Sequence, residues 1–73
     1  MINNELYTSL VKKYEAEIQG YKTTLLIYFN HPVGIGDHAD HLNEMDILVS
    51  KLCSANDKLK ILTRMFEGKY NKL

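Results

Sequence analysis

The sequence of 73 residues predicts an all-α fold, an antiparallel two-helix hairpin with coiled-coil-like heptads that forms one domain over residues 1–73. Large apolar and tyrosine residues recur at heptad spacing in both halves, which is typical of helices packed along a seam. The only proline and two of the four glycines fall between the halves, where the chain would have to turn. These observations predict a helix over about residues 3–29, a turn over about 30–37 and a helix over about 38–68.

The first helix is predicted by a repeat of tyrosines. Tyrosine occupies every seventh position, at Tyr7, Tyr14, Tyr21 and Tyr28, and we call this set the tyrosine row. The aliphatic row consists of Val11, Ile18 and Leu25, which alternate with the tyrosines at a 4-3 spacing. Gly20 lies off both rows at a cost of ~1 kcal/mol relative to alanine, so it marks either a close approach of another chain or a weak point.

The second half of the chain repeats the heptad pattern. One row contains Met45, Leu52, Leu59 and Phe66, and the other contains Leu48, Ala55 and Leu62. The frame is unbroken from residue 45 to residue 66, which favours one continuous helix. Residues 54–57 read SAND, a capping-box pattern that would instead begin a third helix.

A short connection makes the two helices antiparallel neighbours, and their rows then predict the register. Folding the chain about Gly34 pairs positions whose numbers add to 69 or 70. Ile18 then meets Leu52, and Tyr14 meets Ala55. A small residue opposite a large ring is what close packing requires.

Two helices cannot enclose a core, and a chain of this size is marginally stable as a monomer. Large apolar residues also fall outside the rows, on the flanks of both helices: Leu6, Leu10, Leu26, Ile27, Phe29, Leu42, Ile47, Val49, Ile61 and Met65. Exposed apolar surface of this kind favours association. We therefore expect self-association, as a homodimer that forms a four-helix bundle or as a higher homo-oligomer.

Charge differs between the two ends of the predicted hairpin. The turn end is acidic, with Asp37, Asp40, Glu44 and Asp46, and the open end is basic, with Lys58, Lys60, Arg64, Lys69 and Lys72. Such a distribution complements the helix dipole. It also favours an antiparallel dimer over a higher oligomer whose basic ends line a pore or groove.

The segment NHPVGIGDHADH, residues 30–41, contains all three histidines of the chain. Its simplest interpretation is a corner between the helices. His31 precedes Pro32 and therefore avoids the helical conformation, which ends the first helix. Asp37 is a suitable N-cap for the second helix.

The same segment has a second interpretation as a small ligand site. A glycine-rich turn that leads into a helix presents backbone N–H groups to an anion such as a nucleotide phosphate. The residues of this predicted site are Asn30, His31, Gly34, Gly36, Asp37 and His38. The nearby aspartates argue against it, because carboxylates repel a phosphate unless they cap the helix themselves.

A metal site is a third interpretation of the corner. His38 and His41 share one helical face at i, i+3, and imidazole and carboxylate groups are common metal ligands. The predicted ligands are His31, Asp37, His38 and His41. Histidines at this spacing often occur without a metal, so the corner stays the leading interpretation.

The tyrosine row also has two interpretations. As part of the seam, it packs its rings and brings its hydroxyls to the edge of the hairpin. As a site, Tyr14 and Tyr21 would stack on a base while a lysine such as Lys22 meets phosphates. The heptad spacing favours the seam.

The sequence predicts no enzyme and no cofactor. No Ser/His/Asp set, paired catalytic carboxylates or phosphate-binding P-loop is visible, and Cys53 has no histidine partner fixed by sequence. Nine basic residues balance nine acidic ones, which does not favour nucleic-acid binding. There is no signal-peptide pattern and no apolar run of the ~20 residues that span a bilayer, so we expect a cytoplasmic protein without a membrane partner.

The motifs NHPVGIGDHADHLNEMD and SANDKLKILTRMF, with the KKYE helix before them, resemble short proteins of T-even-like tailed phages. The resemblance covers nearly the whole chain, and Asp37 stands where that family is expected to have glutamate. It implies an early-type phage protein, made in the host bacterial cytoplasm, whose activity is binding. Proteins of that kind block a host enzyme or sequester a defence signal such as a cyclic nucleotide.

Residues and resemblance together predict a non-enzymatic, oligomeric binding protein. Its expected role is a phage host-takeover or counter-defence factor that blocks a host protein or sequesters a small nucleotide signal. A structural or assembly component of a phage particle is one alternative. A metal-binding helical module is the other.

Overall fold

A computed structural model describes residues 4–31 and 40–66 of the chain. It contains two α-helices, α1 at Asn4–Asn30 and α2 at His41–Phe66, which pack against each other as a helical hairpin. The molecule is a rod with principal extents of 52 × 16 × 14 Å. The predicted all-α hairpin is confirmed.

The heptad rows form the packed faces of both helices. Tyr7 and Ala55 are the buried residues of the described chain, with 7% and 2% of their surface exposed. The remaining row residues are half-buried: Val11, Tyr14, Ile18, Tyr21, Leu25, Tyr28, Met45, Leu48, Leu52, Leu59, Leu62 and Phe66. The spacing therefore identified the seam apart from His41, and the seam is a single layer of side chains between the two helices.

Two side-chain contacts across the seam report the register. The rings of Tyr28 and His41 meet edge to face, with centroids 5.6 Å apart. The ammonium of Lys58 lies 5.8 Å from the centre of the Tyr14 ring. These pairs add to 69 and 72, which agrees with the predicted 69 or 70 to within one helical turn. Ala55, one turn before Lys58, is thus placed beside Tyr14.

The helix α2 begins at His41, three residues later than predicted. Asp40 lies outside the helix, where its carbonyl accepts the N–H of Glu44 at 2.9 Å and its carboxylate accepts the N–H of Asn43 at 3.2 Å. These are the bonds of an N-cap residue. The assignment of the cap of this helix to Asp37 is therefore wrong, and Asp37 itself lies outside the described residues.

The middle of α2 is continuous. Residues 54–57, the SAND segment, are helical interior, so the predicted continuous helix is confirmed and the alternative third helix is not present there. The heptad contacts on both sides of this segment outweigh the local capping signal, because tertiary packing supplies most helix stability in proteins. At the end of α1, His31 donates its N–H to the Ile27 carbonyl at 2.7 Å and closes the last turn.

Candidate binding surfaces

The flanks of the hairpin carry a large exposed apolar surface. Nine of the ten predicted flank residues are exposed, with 40% to 82% of their surface open to solvent: Leu6, Leu26, Ile27, Phe29, Leu42, Ile47, Val49, Ile61 and Met65. The tenth, Leu10, is half-buried. The prediction that these side chains lie outside the seam is confirmed for all but Leu10.

Helical periodicity divides this surface into two sides. Each residue advances about 100° around a helix, so a residue one or four positions after an aliphatic-row residue lies beside that row and away from the tyrosines. The aliphatic row of α1 and the Met45 row of α2 share one edge of the antiparallel hairpin. We call this edge the aliphatic side; its outer residues in the described chain are Lys12, Glu15, Gln19, Lys22, Leu26, Phe29, Leu42, Asp46, Val49, Cys53, Asn56, Lys60 and Thr63. The opposite edge, which carries the tyrosines, is the tyrosine side.

The tyrosine side contains an open groove of about 260 Å³ towards the open end of the hairpin. Its lining consists of Leu10, Tyr14, Lys58, Ile61, Leu62 and Phe66. The groove is small compared with ligand pockets of about 300–1,000 Å³. Its walls are almost entirely apolar, and Lys58 supplies a cation at the rim.

Two lysines contact the Tyr14 ring from different helices. The ammonium groups of Lys13 and Lys58 each lie 5.8 Å from the ring centre, a distance at which a cation interacts with an aromatic face. Lys13 also donates a hydrogen bond to the Glu17 carboxylate, which raises the pKa of Lys13 above its ordinary value. The Glu17 carboxylate therefore already neutralises the ammonium group of Lys13. The ammonium group of Lys58 faces the groove, and it has no carboxylate partner among the described residues.

The structure brings together only part of the predicted tyrosine site. Tyr14 lines the groove, and Tyr21 continues the same row one heptad further along. Lys22 is exposed on the aliphatic side, away from this groove. Sequence reasoning did not include Lys58, although the register rule places it one helical turn beyond the position opposite Tyr14.

The corner is described only at its two ends. Asn30 ends α1, His31 follows it and is exposed, and His41 begins α2. The other predicted ligand residues, namely Gly34, Gly36, Asp37 and His38, lie outside the described residues, and so does most of the predicted metal set. Residues 4–31 and 40–66 contain no group of three or more His, Cys, Asp or Glu side chains placed to hold a metal ion.

His41 has a packing role that the sequence analysis did not assign. It is half-buried against Tyr28, and it lies seven residues before Leu48, so it extends the row that faces the tyrosines. Extending the heptad pattern of α2 by one repeat towards the N-terminus would have assigned His41 to this row. One of the three clustered histidines therefore belongs to the seam.

Comparison with family models, with curated protein sequences and with solved structures finds no match for this chain. Within the two described helices, no stretch is long and apolar enough to cross a membrane.

Proposed function

We propose that this chain is a non-enzymatic, self-associating binding protein whose apolar flanks are its contact surfaces. The observation that carries the proposal is the exposure of nine large apolar side chains beside a seam that buries only two residues of the described chain. A monomeric hairpin would leave these side chains in water, and association removes them from it.

The energy of burial is comparable with the cost of association. The exposed fractions of the nine side chains add up to about five fully exposed residues, divided almost evenly between the two sides of the hairpin. At ~2 kcal/mol for each residue, burying one side is worth about 5 kcal/mol per protomer, or ~10 kcal/mol for a symmetric dimer. Association costs roughly 4–15 kcal/mol in lost freedom, which is of the same size, and an oligomer that covers both sides gains more.

Native mass spectrometry across a concentration series tests self-association. The expected species is a dimer or higher oligomer of the 8.4 kDa chain. Leu42→Asp should shift the distribution towards monomer, since Leu42 is 82% exposed and has few contacts to lose within the hairpin. The matched control is Asn43→Asp, which places the same charge on the neighbouring exposed position. A strict monomer at all concentrations contradicts the proposal.

The biological setting of the proposal rests on the resemblance to short phage proteins. In that setting the apolar flanks block a host protein in the bacterial cytoplasm, which makes the chain a host-takeover or counter-defence factor. A strain with a cyclic-nucleotide defence system should plate a sensitive phage better when it expresses this chain than when it expresses Leu42→Asp. Equal plating with and without the chain contradicts the counter-defence role.

The groove at Tyr14 favours a second candidate, the sequestering of a small nucleotide. In this version a base stacks on the Tyr14 ring and a phosphate meets Lys58. Calorimetric titration with a panel of cyclic mono- and dinucleotides tests it. Lys58→Gln should abolish the binding with an unchanged melting temperature, whereas Lys60→Gln, outside the groove, should retain it. An absence of heat for every nucleotide removes this candidate.

A further inference from the structure

We propose that the groove at Tyr14 binds a medium-chain aliphatic carboxylate, whose tail lies along the apolar walls and whose anionic head meets Lys58. Such a ligand belongs to a different class from a nucleotide. Its binding does not depend on the proposed self-association, because one hairpin supplies the whole groove.

The walls of the groove present almost no polar groups. Four of the six lining residues are aliphatic or phenylalanine side chains, namely Leu10, Ile61, Leu62 and Phe66. The part of a ligand that enters the groove must therefore be apolar, because a buried polar atom without a hydrogen-bond partner is unfavourable. A nucleobase carries several polar atoms, whereas an alkyl chain carries none.

The cation of the groove lies at one end of it. The contact between Lys58 and the Tyr14 ring places both residues at the inner end, towards the middle of the rod. Phe66 lies at the outer end, eight residues further along α2. A groove that is cationic at one end and apolar along the rest of its length matches an amphiphile with a single anionic head.

The other charges on the tyrosine side do not oppose an anion at Lys58. A residue one or four positions before a tyrosine-row residue, or before a member of the Leu48 row, lies on this side. The charged residues at such positions in the described chain are Lys13, Glu17, Glu44, Lys51 and Lys58. Glu17 is paired with Lys13, and Glu44 lies roughly 20 Å from Lys58 along α2. Lys51 adds a second positive charge beyond the inner end.

The size of the groove sets the length of the tail. The eight residues from Lys58 to Phe66 span about 12 Å at ~1.5 Å per residue. Carbon–carbon bonds of ~1.5 Å advance an extended chain by about 1.25 Å each, so this span accommodates roughly ten carbon atoms. The volume of about 260 Å³ holds roughly nine methylene groups, if each occupies about the ~30 Å³ of a water molecule in the liquid. Both values point to a chain such as decanoate.

Two exposed apolar side chains flank the outer end of the groove. Leu6 of α1 is 69% exposed and Met65 of α2 is 56% exposed, and both lie on the tyrosine side. Their numbers add to 71, so the register places them at one level of the rod. A tail between them removes apolar surface that the hairpin leaves in water, which favours binding.

A series of chain lengths tests the size of the site on the unmodified protein. Straight-chain carboxylates of about six to fourteen carbons are titrated by calorimetry, each below the concentration at which it forms micelles. Affinity should rise about two- to fourfold for each added methylene group and level off near ten carbons, where the groove ends. An affinity that keeps rising to fourteen carbons indicates adsorption on the apolar flanks and overturns the proposal, and so does a series without measurable binding.

Exchanges at Lys58 test the head group. Lys58→Gln should raise the dissociation constant of decanoate about three- to tenfold, because a charge-assisted hydrogen bond is lost. Lys58→Arg should keep the constant within about threefold of wild type. The matched control Lys60→Gln removes a lysine from the aliphatic side and should change it by less than about twofold. Decyltrimethylammonium has the same chain with a cationic head, and binding of it as tight as that of decanoate overturns the proposal.

An exchange in the wall locates the tail. Ile61→Ser removes an apolar wall of the groove and should raise the dissociation constant of decanoate about fivefold or more. The control Val49→Ser makes a similar change on the aliphatic side and should leave the constant unchanged. Both residues are exposed, at 57% and 45%, so both variants should fold, which circular dichroism checks. Equal losses in the two variants place the tail on the flanks in general and overturn the proposal.

The outcomes for the groove and for self-association are independent. A length limit near ten carbons, together with the loss in Lys58→Gln, supports the carboxylate site. An oligomer by native mass spectrometry that fails either test overturns the site and leaves self-association standing. A strict monomer that passes both tests supports the site and contradicts the proposed self-association. A cyclic nucleotide that binds where decanoate does not overturns the carboxylate site in favour of the nucleotide.

Discussion

Ala55 is the least exposed residue of the described chain, at 2%, and the register of the two helices places it opposite the half-buried Tyr14. Leucine at this position adds three carbon atoms where the opposing helix leaves no room. The variant Ala55→Leu must either push the helices apart or force the Tyr14 ring from its rotamer. Both responses weaken the contacts of the neighbouring turns.

The expected size of this effect follows from overpacking in well-packed seams, which costs typically 1–3 kcal/mol. For a domain of this length, 1 kcal/mol shifts the melting temperature by roughly 4–8 °C. Ala55→Leu should therefore lower the melting temperature by about 5–20 °C. Helix propensity contributes little, because leucine and alanine are both strong helix formers.

The assay is thermal unfolding followed by circular dichroism at equal protein concentration. The matched control is Ala16→Leu, the same exchange at an exposed position of α1, which should melt within a few degrees of wild type. If Ala55→Leu melts with or above the Ala16→Leu control, the helices are not in close contact at Ala55, and the argument for the register at the centre of the hairpin fails.

Two further substitutions test local features of the helices. Asp40→Ala removes the N-cap of α2 and should lower the free energy of unfolding by ~1 kcal/mol, measured by chemical denaturation. The control Asp57→Ala, in the middle of the same helix, should change this free energy by less than about 0.5 kcal/mol. Equal effects of the two substitutions would show that Asp40 does not cap the helix. Gly20→Ala should raise the free energy of unfolding by ~1 kcal/mol, because alanine has the higher helix propensity and a Cβ at Gly20 meets nothing within 4 Å. The substitution should leave the mass of the oligomer unchanged. A loss of the oligomer would instead indicate that another chain packs against this glycine.

Heptad spacing predicted the seam because it is a repeated signal. An error at one position of a row is corrected by the other positions, so Tyr7 and Ala55 were placed in the seam without any local information about them. The register followed from the same repetition combined with the short connection about Gly34, since the repeat by itself also allows shifts of seven residues. The flank residues were predicted to be exposed because they fall outside the heptad rows.

The first residue of α2 was harder to predict, because N-cap preference is a local signal and more than one nearby residue satisfies it. Asp37 and Asp40 both precede the second helix and have the same chemistry, so side-chain preference alone does not separate them. The structure separates them, because Asp40 accepts the backbone N–H groups of Asn43 and Glu44 in the first turn of α2. The groove beside Tyr14 was not predicted from the sequence. Lys58 contacts the Tyr14 ring from the opposite helix, and this contact depends on the length of the lysine side chain rather than on heptad spacing.

The proportions of the rod have a consequence for its motion in solution. A rod whose Cα trace is 52 Å long and 16 Å across rotates about its long axis faster than it tumbles end over end. A second rod laid alongside doubles one transverse dimension without adding length, so mainly the spinning motion slows. Rotational relaxation of a label would therefore report lateral pairing as a loss of the fast component, and end-to-end growth as a lengthening of the slow one.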